Sequence, residues 1–327
     1  MASPRPKPGK PAAVDLKRFD PLSSRRVVVL STGMFDLYYM MLTFGFEAAV
    51  CGIGRIRLSA GTLPLKRSFM MNSRPDAAHR FERNRFFLKD TIRQSIDFSN
   101  TQQSRHVPAP PLQKPCPADA SRTDLPDGAA AMARLCSMGV AEAIARRESV
   151  RSYSSEGLTL EELAALLWAT QGVRQVLSPA SALRNVPSAG ARHTFETYVA
   201  ASRVEGLPSG LYRYLPFDGQ LAELSLDGRI GWKAANACLG QRFVATAAAT
   251  FFWTTIPARM EWRYDLAAHK VIAIDAGHVC QNLYLACTAL GAGICAIAAY
   301  DQAACDRLLG VDGDEEFTVY IAPVGKR

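Results

Sequence analysis

Between residues 146 and 153 the chain reads Arg146-Arg147-Glu148-Ser149-Val150-Arg151-Ser152-Tyr153. Guanidiniums at 147 and 151 with a hydroxyl at 149 suit a phosphate monoester, because Arg offers paired donors and Ser adds a neutral one. An Arg pair closing a helix also serves simply to offset the helix dipole. Further on, Val186-Pro187-Ser188-Ala189-Gly190-Ala191-Arg192 is a run of small residues. Such a run lets backbone approach a flat ligand closely and donate to it. A third segment, Asp275 to Leu285, gathers His278, Gln281 and Asn282 on one turn of an apolar helix. Buried polar groups of that kind need partners. The fourth and fifth segments are Leu290 to Asp301, a strand leading into a helix, and the terminal Pro323-Val324-Gly325-Lys326-Arg327.

What is missing also has meaning. No GxGxxG opens a βαβ unit and no GK[ST] follows a strand, so neither a Rossmann site nor a Walker loop is indicated. No Ser-His-Asp, Cys-His or paired-carboxylate arrangement stands out. If the chain is an enzyme, a bound cofactor supplies its reactivity. The eight cysteines include no CxxC, and the five histidines do not join them at ligand spacing. No metal site is expected, and the cysteines read as small buried hydrophobes in a reducing compartment.

The elements that must position these segments sit in 327 residues, of which 48% are hydrophobic. The net charge of +8 would suggest nucleic acid or a membrane surface, but its distribution argues otherwise. Residues 1–70 hold 11 Lys/Arg against 4 Asp/Glu, residues 71–135 hold 10 against 7, and residues 136–327 hold 17 against 19. The basic excess lies in an N-terminal extension, residues 1–70, expected to be disordered or outside the functional fold. Residues 71–134 form an irregular arm with a proline-rich linker or wrapping stretch at 108–127, and residues 135–327 the folded domain. Gly277 to Tyr300 lacks charge over a length that could cross a bilayer, but Gly291 and Gly293 break it into a buried helix and strand. A cytoplasmic protein with no membrane or nucleic-acid partner is expected.

Periodicity gives helices at about 83–95, 129–148, 160–171 (behind a Thr159–Glu162 capping box), 231–240, 266–290 and 301–310. Strands follow at 194–201, 210–226 as a hairpin, 247–253, 293–300 and 316–325, with 174–192 read as loop. This is an α+β arrangement: a mixed central sheet flanked by helices.

Taken together and in order, RRESVRSY, LTLEELAALLWATQGV, RNVPSAGA, EGLPSGLYRYLP, WRYDLAAHKVIAIDAGHVCQNLYLACTALGAG, AIAAYD, RLLGVD and APVGKR resemble the FMN-dependent nitroreductase family. They look most like its SagB-type dehydrogenase branch. The resemblance implies a nitroreductase-like sandwich, dimeric, with FMN at the subunit interface and NADH or NADPH as reductant. It implies ping-pong hydride transfer through flavin N5 to a nitroaromatic, quinone or similar small molecule. By motif, Arg147, Ser149 and Arg151 would hold the phosphate and ribityl chain. Pro187, Ser188, Ala189 and Gly190 would pack along the isoalloxazine from the partner chain. Ile297, Ala298 and Ala299 would line the flavin near N5, and Lys326 and Arg327 would reach the phosphate. No side chain is an obligatory acid or base, with Arg263 and Tyr264 as substrate-side candidates. Azoline-oxidising members carry a Lys-Tyr pair there, and Arg263 replaces that Lys. An Arg stays charged and is a poor proton acceptor. Azoline dehydrogenation in peptide modification and non-catalytic flavin binding are the alternative readings. Glu148, a carboxylate beside the phosphate site, is expected to point away or pair with Arg146.

Overall fold

The computed structural model describes residues 77–327. The expectation for residues 1–70 lies outside the described residues. Helix α1 (Ala77–Leu88) leads into short 3-10 turns at Asp90–Ser95 and Phe98–Asn100, then an extended stretch to strand β1 (Arg122–Asp124). Helices α2 (Gly128–Leu135), α3 (Val140–Arg146) and α4 (Leu160–Gln171) follow, then strands β2 (Val173–Ser178), β3 (Ser181–Arg184), β4 (Phe195–Ala201), β5 (Gly210–Leu215) and β6 (Gln220–Leu226). Beyond α5 (Ile230–Ala237) and α6 (Arg242–Ala245) come β7 (Ala249–Thr255), α7 (Ala258–Tyr264), the long α8 (Ala268–Ala289), β8 (Ala292–Ile294), α9 (Gln302–Leu309) and β9 (Phe317–Lys326).

Seven strands form one sheet in the order β1-β6-β5-β4-β7-β9-β8, with β2 and β3 as a separate hairpin. The expected mixed sheet is antiparallel at every pairing between these strands. Strands β5 and β6 are joined by a four-residue turn, which permits only reversal. Every residue of β4 and β7 is buried, so helices cover both faces. Side chains alternate between two cores. Val199, Ala201, Phe251, Trp253, Ala322 and Val324 face α4 and α8. Tyr198, Ala200, Phe252 and Ile321 face α5 and α9.

Three expectations change. The helix read over 129–148 is two helices bent by 79°, with extended backbone at Gly139 starting the second. The loop read over 174–192 contains the β2–β3 hairpin. Its first strand is largely exposed and carries two register irregularities, so no hydrophobic alternation marks it. The strand read over 293–300 ends at Ile294, and beyond it the chain meets β9 through the Cys295 N–H to Pro323 O (3.3 Å), the Ile297–Ile321 bridge and the Tyr300 hydroxyl to Thr318 O (3.0 Å).

The proline-rich stretch lies along the domain as a strap. Its prolines lack N–H groups and hold extended backbone, which turns carbonyls outward to other donors. Three carbonyls of this stretch, and that of Val107 just before it, accept from side chains. Trp262 Nε1 donates to Val107 O (2.7 Å), Arg192 Nη2 to Pro110 O (3.3 Å), Arg184 Nη2 to Leu112 O (2.9 Å) and Arg213 Nη2 to Pro115 O (2.9 Å). Lys114 closes the strap: its N–H donates to Glu196 Oε1 (2.8 Å) and its ammonium to Glu316 (2.6 Å). Among the described residues, no single helix is long and apolar enough to cross a membrane.

Candidate functional site

The segment from Arg147 to Tyr153 leaves α3 and runs along the sheet edge made by β8 and β9. The Val150 N–H donates to Ile294 O (2.8 Å) and the Ser154 N–H to Lys326 O (2.9 Å). The Tyr153 hydroxyl lies 3.0 Å from both Val150 O and Pro323 O. Gly325 permits this approach, since a Cβ there would stand 2.8 Å from Tyr153 Cγ.

Tyr284, on the inner face of α8, ties this segment to the next. The Arg147 guanidinium lies 5.2 Å above its ring. Its hydroxyl is 2.9 Å from Ser149 Oγ and accepts the Ala296 N–H at 2.9 Å. Arg147 is half-buried and Arg151 exposed, and among the described residues neither has a carboxylate within 4.0 Å.

The neighbouring cations are already paired. Arg146 bonds Glu142 (2.7 Å) and Arg327 bonds Glu148 (2.9 Å). Glu148 therefore turns to the C-terminus rather than to Arg146, which Glu142 one turn earlier already holds. Lys326 bonds Glu162 of the α4 capping box, with Glu156 at 3.9 Å. Lys326 and Arg327 thus lie at the expected end of the site with their charges largely offset, so Arg147 and Arg151 are the cations left for an anion.

Beyond Ala296 the chain loops away from β8. Ile297 departs from its expected place, since its N–H donates to Ile321 O (2.8 Å) and its side chain is buried in the smaller core. Ala298 and Ala299 are exposed, and their N–H groups have no hydrogen-bond partner among the described residues. Ala298 also lines a cavity of 560 Å³ between α8 and β9, walled by Ala276, Gly277, Tyr300 and Tyr320. That volume lies in the usual range for small-ligand pockets, about 300–1,000 Å³.

The Pro187–Gly190 run packs on the opposite side of α8. Asp275, 4% exposed, accepts the Ala189 N–H (3.3 Å) and the Ser188 hydroxyl. Burial pushes its carboxyl above the usual range against the pull of these two donors. Ser188 Oγ in turn accepts the His193 N–H at 3.0 Å. Positive φ occurs at Gly190 (59°), Ala191 (54°) and His193 (46°). Non-glycine residues there are strained and persist only when surroundings hold them. Gly190 also meets α7, where an added Cβ would come within 2.9 Å of Arg263 Nε and Tyr264 Oη. The two substrate-side candidates therefore sit directly on this loop, with the Arg263 guanidinium 5.6 Å over the Tyr264 ring.

Of the polar helix turn, Asn282 is structural: its Nδ2 donates to Ala169 O (3.0 Å) and joins α8 to the end of α4. Gln281 is exposed, and His278 Nδ1 lies 3.8 Å from Asp275. Sequence reasoning missed Tyr284 and Asp275 as site residues. The available signal was a phenol and a carboxylate within an apolar helix, where each must find a partner.

The fold and site offer a cationic end, a small-residue loop and free backbone donors. The sequence model of the nitroreductase family matches residues 144–326, and the chain belongs to that family. A nitroreductase-like protein of Methanocaldococcus jannaschii is 32% identical over 186 residues, covering 57% of this chain and 90% of its own length. A solved nitroreductase-like protein of Ralstonia eutropha superposes with a TM-score of 0.51 at 24% identity, covering 67% of this chain and 98% of that one. Another, from Anabaena variabilis, has a TM-score of 0.49 at 28% identity over 57% of this chain, and the match spans 38% of that longer chain.

Proposed function

We propose that this chain is an FMN-dependent oxidoreductase that works as a homodimer, taking electrons from NADH or NADPH and passing them to a nitroaromatic, a quinone or a related small molecule. One observation carries the reading. The guanidiniums of Arg147 and Arg151, which face no carboxylate among the described residues, are joined through Tyr284 to the loop that presents the free N–H groups of Ala298 and Ala299. An elongated ligand with a phosphate at one end and a planar hydrogen-bonding ring at the other fits that layout. When bound, FMN supplies two-electron hydride chemistry that no side chain here provides.

The chain's own residues bind and orient. Arg147, Ser149 and Arg151 would hold the phosphate, and Ala298 and Ala299 would donate to the ring edge near N5. Pro187, Ser188, Ala189 and Gly190 would pack along the ring bound by the partner subunit, held in place by Asp275 through the Ala189 N–H. Cationic groups nearby favour added negative charge on the ring. The collinear segments support placement near the SagB-type branch, but Arg263 disfavours azoline dehydrogenation, since a guanidinium is a poor proton acceptor. A non-catalytic flavin binder is the remaining reading.

Purification tests the oxidoreductase reading against non-catalytic flavin binding. The protein should be yellow, with an FMN spectrum bleached anaerobically by NADH or NADPH. Replacing both Arg147 and Arg151 by Ala should abolish flavin retention and leave the circular dichroism unchanged. A colourless protein that cannot be reconstituted with FMN would refute the proposal, and bound flavin that no nicotinamide reduces would leave only binding.

A further inference from the structure

The N-terminal arm builds a second pocket that the flavin reading does not use. A cleft of 350 Å³ is lined by Arg93, Phe98, Thr101, Gln103, Ser104, Arg263 and Tyr264. Its wall is fixed by one residue of α7. Trp262 O accepts the Gln103 N–H (2.9 Å) and Trp262 Nε1 donates to Val107 O (2.7 Å), so both ends of the arm's loop are pinned. Two hydroxyls, Thr101 Oγ1 and Ser104 Oγ, stand 3.0 Å apart in it. Phe98 and Tyr264 supply ring faces, each under a guanidinium, at 5.6 Å for Arg93 and 5.6 Å for Arg263.

The charges decide what fits. Among the described residues, no carboxylate lines the cleft. Arg93 is neutralised by Asp90 at 3.0 Å, whereas Arg263 makes no hydrogen bond or ion pair among the described residues. One uncompensated cation beside aromatic faces, in a volume near the lower end of ligand pockets, matches a single ring bearing one negative charge. Arg263 also touches Gly190, the loop assigned above to the ring of the partner-bound cofactor.

We propose that this cleft is the acceptor-recognition site and that it selects a monocyclic aromatic carboxylate, held by Arg263 and enclosed by the 93–104 arm. The assignment of the bound molecule as electron acceptor rests on the flavin reading, but the carboxylate preference does not. Isothermal titration with 4-nitrobenzoate and with neutral nitrobenzene reads it without turnover. The purified protein should bind the carboxylate about tenfold tighter or more, a typical effect of one charge-assisted pair. Arg263→Gln should erase the preference, and Arg263→Lys should retain much of it. Equal affinities in the parent protein, or a preference that survives Arg263→Gln, would overturn the proposal. So would an Arg263→Gln effect confined to the KM for NADPH, which would assign the cation to the reductant. Flavin content measured on the same samples separates the two ideas. Retained, reducible flavin without a carboxylate preference rejects the cleft alone, and a preference in a flavin-free protein rejects the cofactor reading alone.

Discussion

The hydroxyl of Tyr284 lies 2.9 Å from the hydroxyl of Ser149, across 135 residues of sequence. The same Tyr284 oxygen accepts the Ala296 N–H, so one phenol oxygen meets both groups. One phenol thus sets the spacing between the segment carrying Arg147 and Arg151 and the loop carrying Ala298 and Ala299. Tyr284→Phe keeps the ring under Arg147 and removes both bonds. It is expected to cost about 1–3 kcal/mol, since the Ala296 N–H loses its partner. Flavin affinity should fall as well, by a factor that equilibrium dialysis of FMN measures against the parent protein. An unchanged affinity would show that the two segments hold their spacing without Tyr284.

A buried carboxylate holds the strap and the sheet together. Glu196, 3% exposed, bonds Arg259 at 2.6 Å and the Lys114 N–H at 2.8 Å, with Arg213 at 3.8 Å. Glu196→Gln preserves volume but leaves Arg259 and Arg213 buried without their counter-charge. Breaking a buried pair from one side costs about 3–5 kcal/mol. Urea unfolding should show a large drop in midpoint, and a shift under about 1 kcal/mol would mean that Glu316 nearby suffices for these cations.

His193 makes the stability depend on pH. Burial first, then the Arg184 charge, hold its imidazole down to about 3 from an ordinary 6.5. Between those values the unfolded chain binds a proton that the folded chain refuses. The contribution is therefore complete above pH 6.5 and shrinks as pH falls toward 3. His193→Asn removes the titrating ring and keeps a residue that tolerates the positive φ. The variant should lose less stability than the parent protein between pH 6.5 and 4, as followed by thermal melts across buffers. Parallel pH profiles would contradict a neutral buried His193.

Trp262 pins the arm to α7 by its indole N–H. Trp262→Phe should cost about 1 kcal/mol and leave Val107 O without that donor. Local opening, rather than global unfolding, is expected to respond most. Hydrogen exchange near 103–107 should accelerate while β4 and β7 stay protected, and uniform acceleration across the sheet would contradict a local clasp.

Much of this was legible along the chain because the signals are local. The Thr159–Glu162 capping box, the β5–β6 hairpin, the long α8 and the Asp301 cap of α9 each depend on residues within one or two turns of each other. The Arg147–Arg151 and Pro187–Gly190 segments declared themselves by residue type. What sequence could not supply was partnership between distant groups. Lys326 and Arg327 read as cations for a phosphate, yet the fold brings Glu162 and Glu148 onto them. Ile297 read as a flavin contact, yet its register against Ile321 turns it into the smaller core. Tyr284 and Asp275 read as helix residues, and only the packing of α8 between two loops gives them hydroxyl and amide partners. A short-range pattern fixes the conformation of a segment. Which charge remains uncompensated is decided by long-range approach, and that sum is computed only by the folded chain.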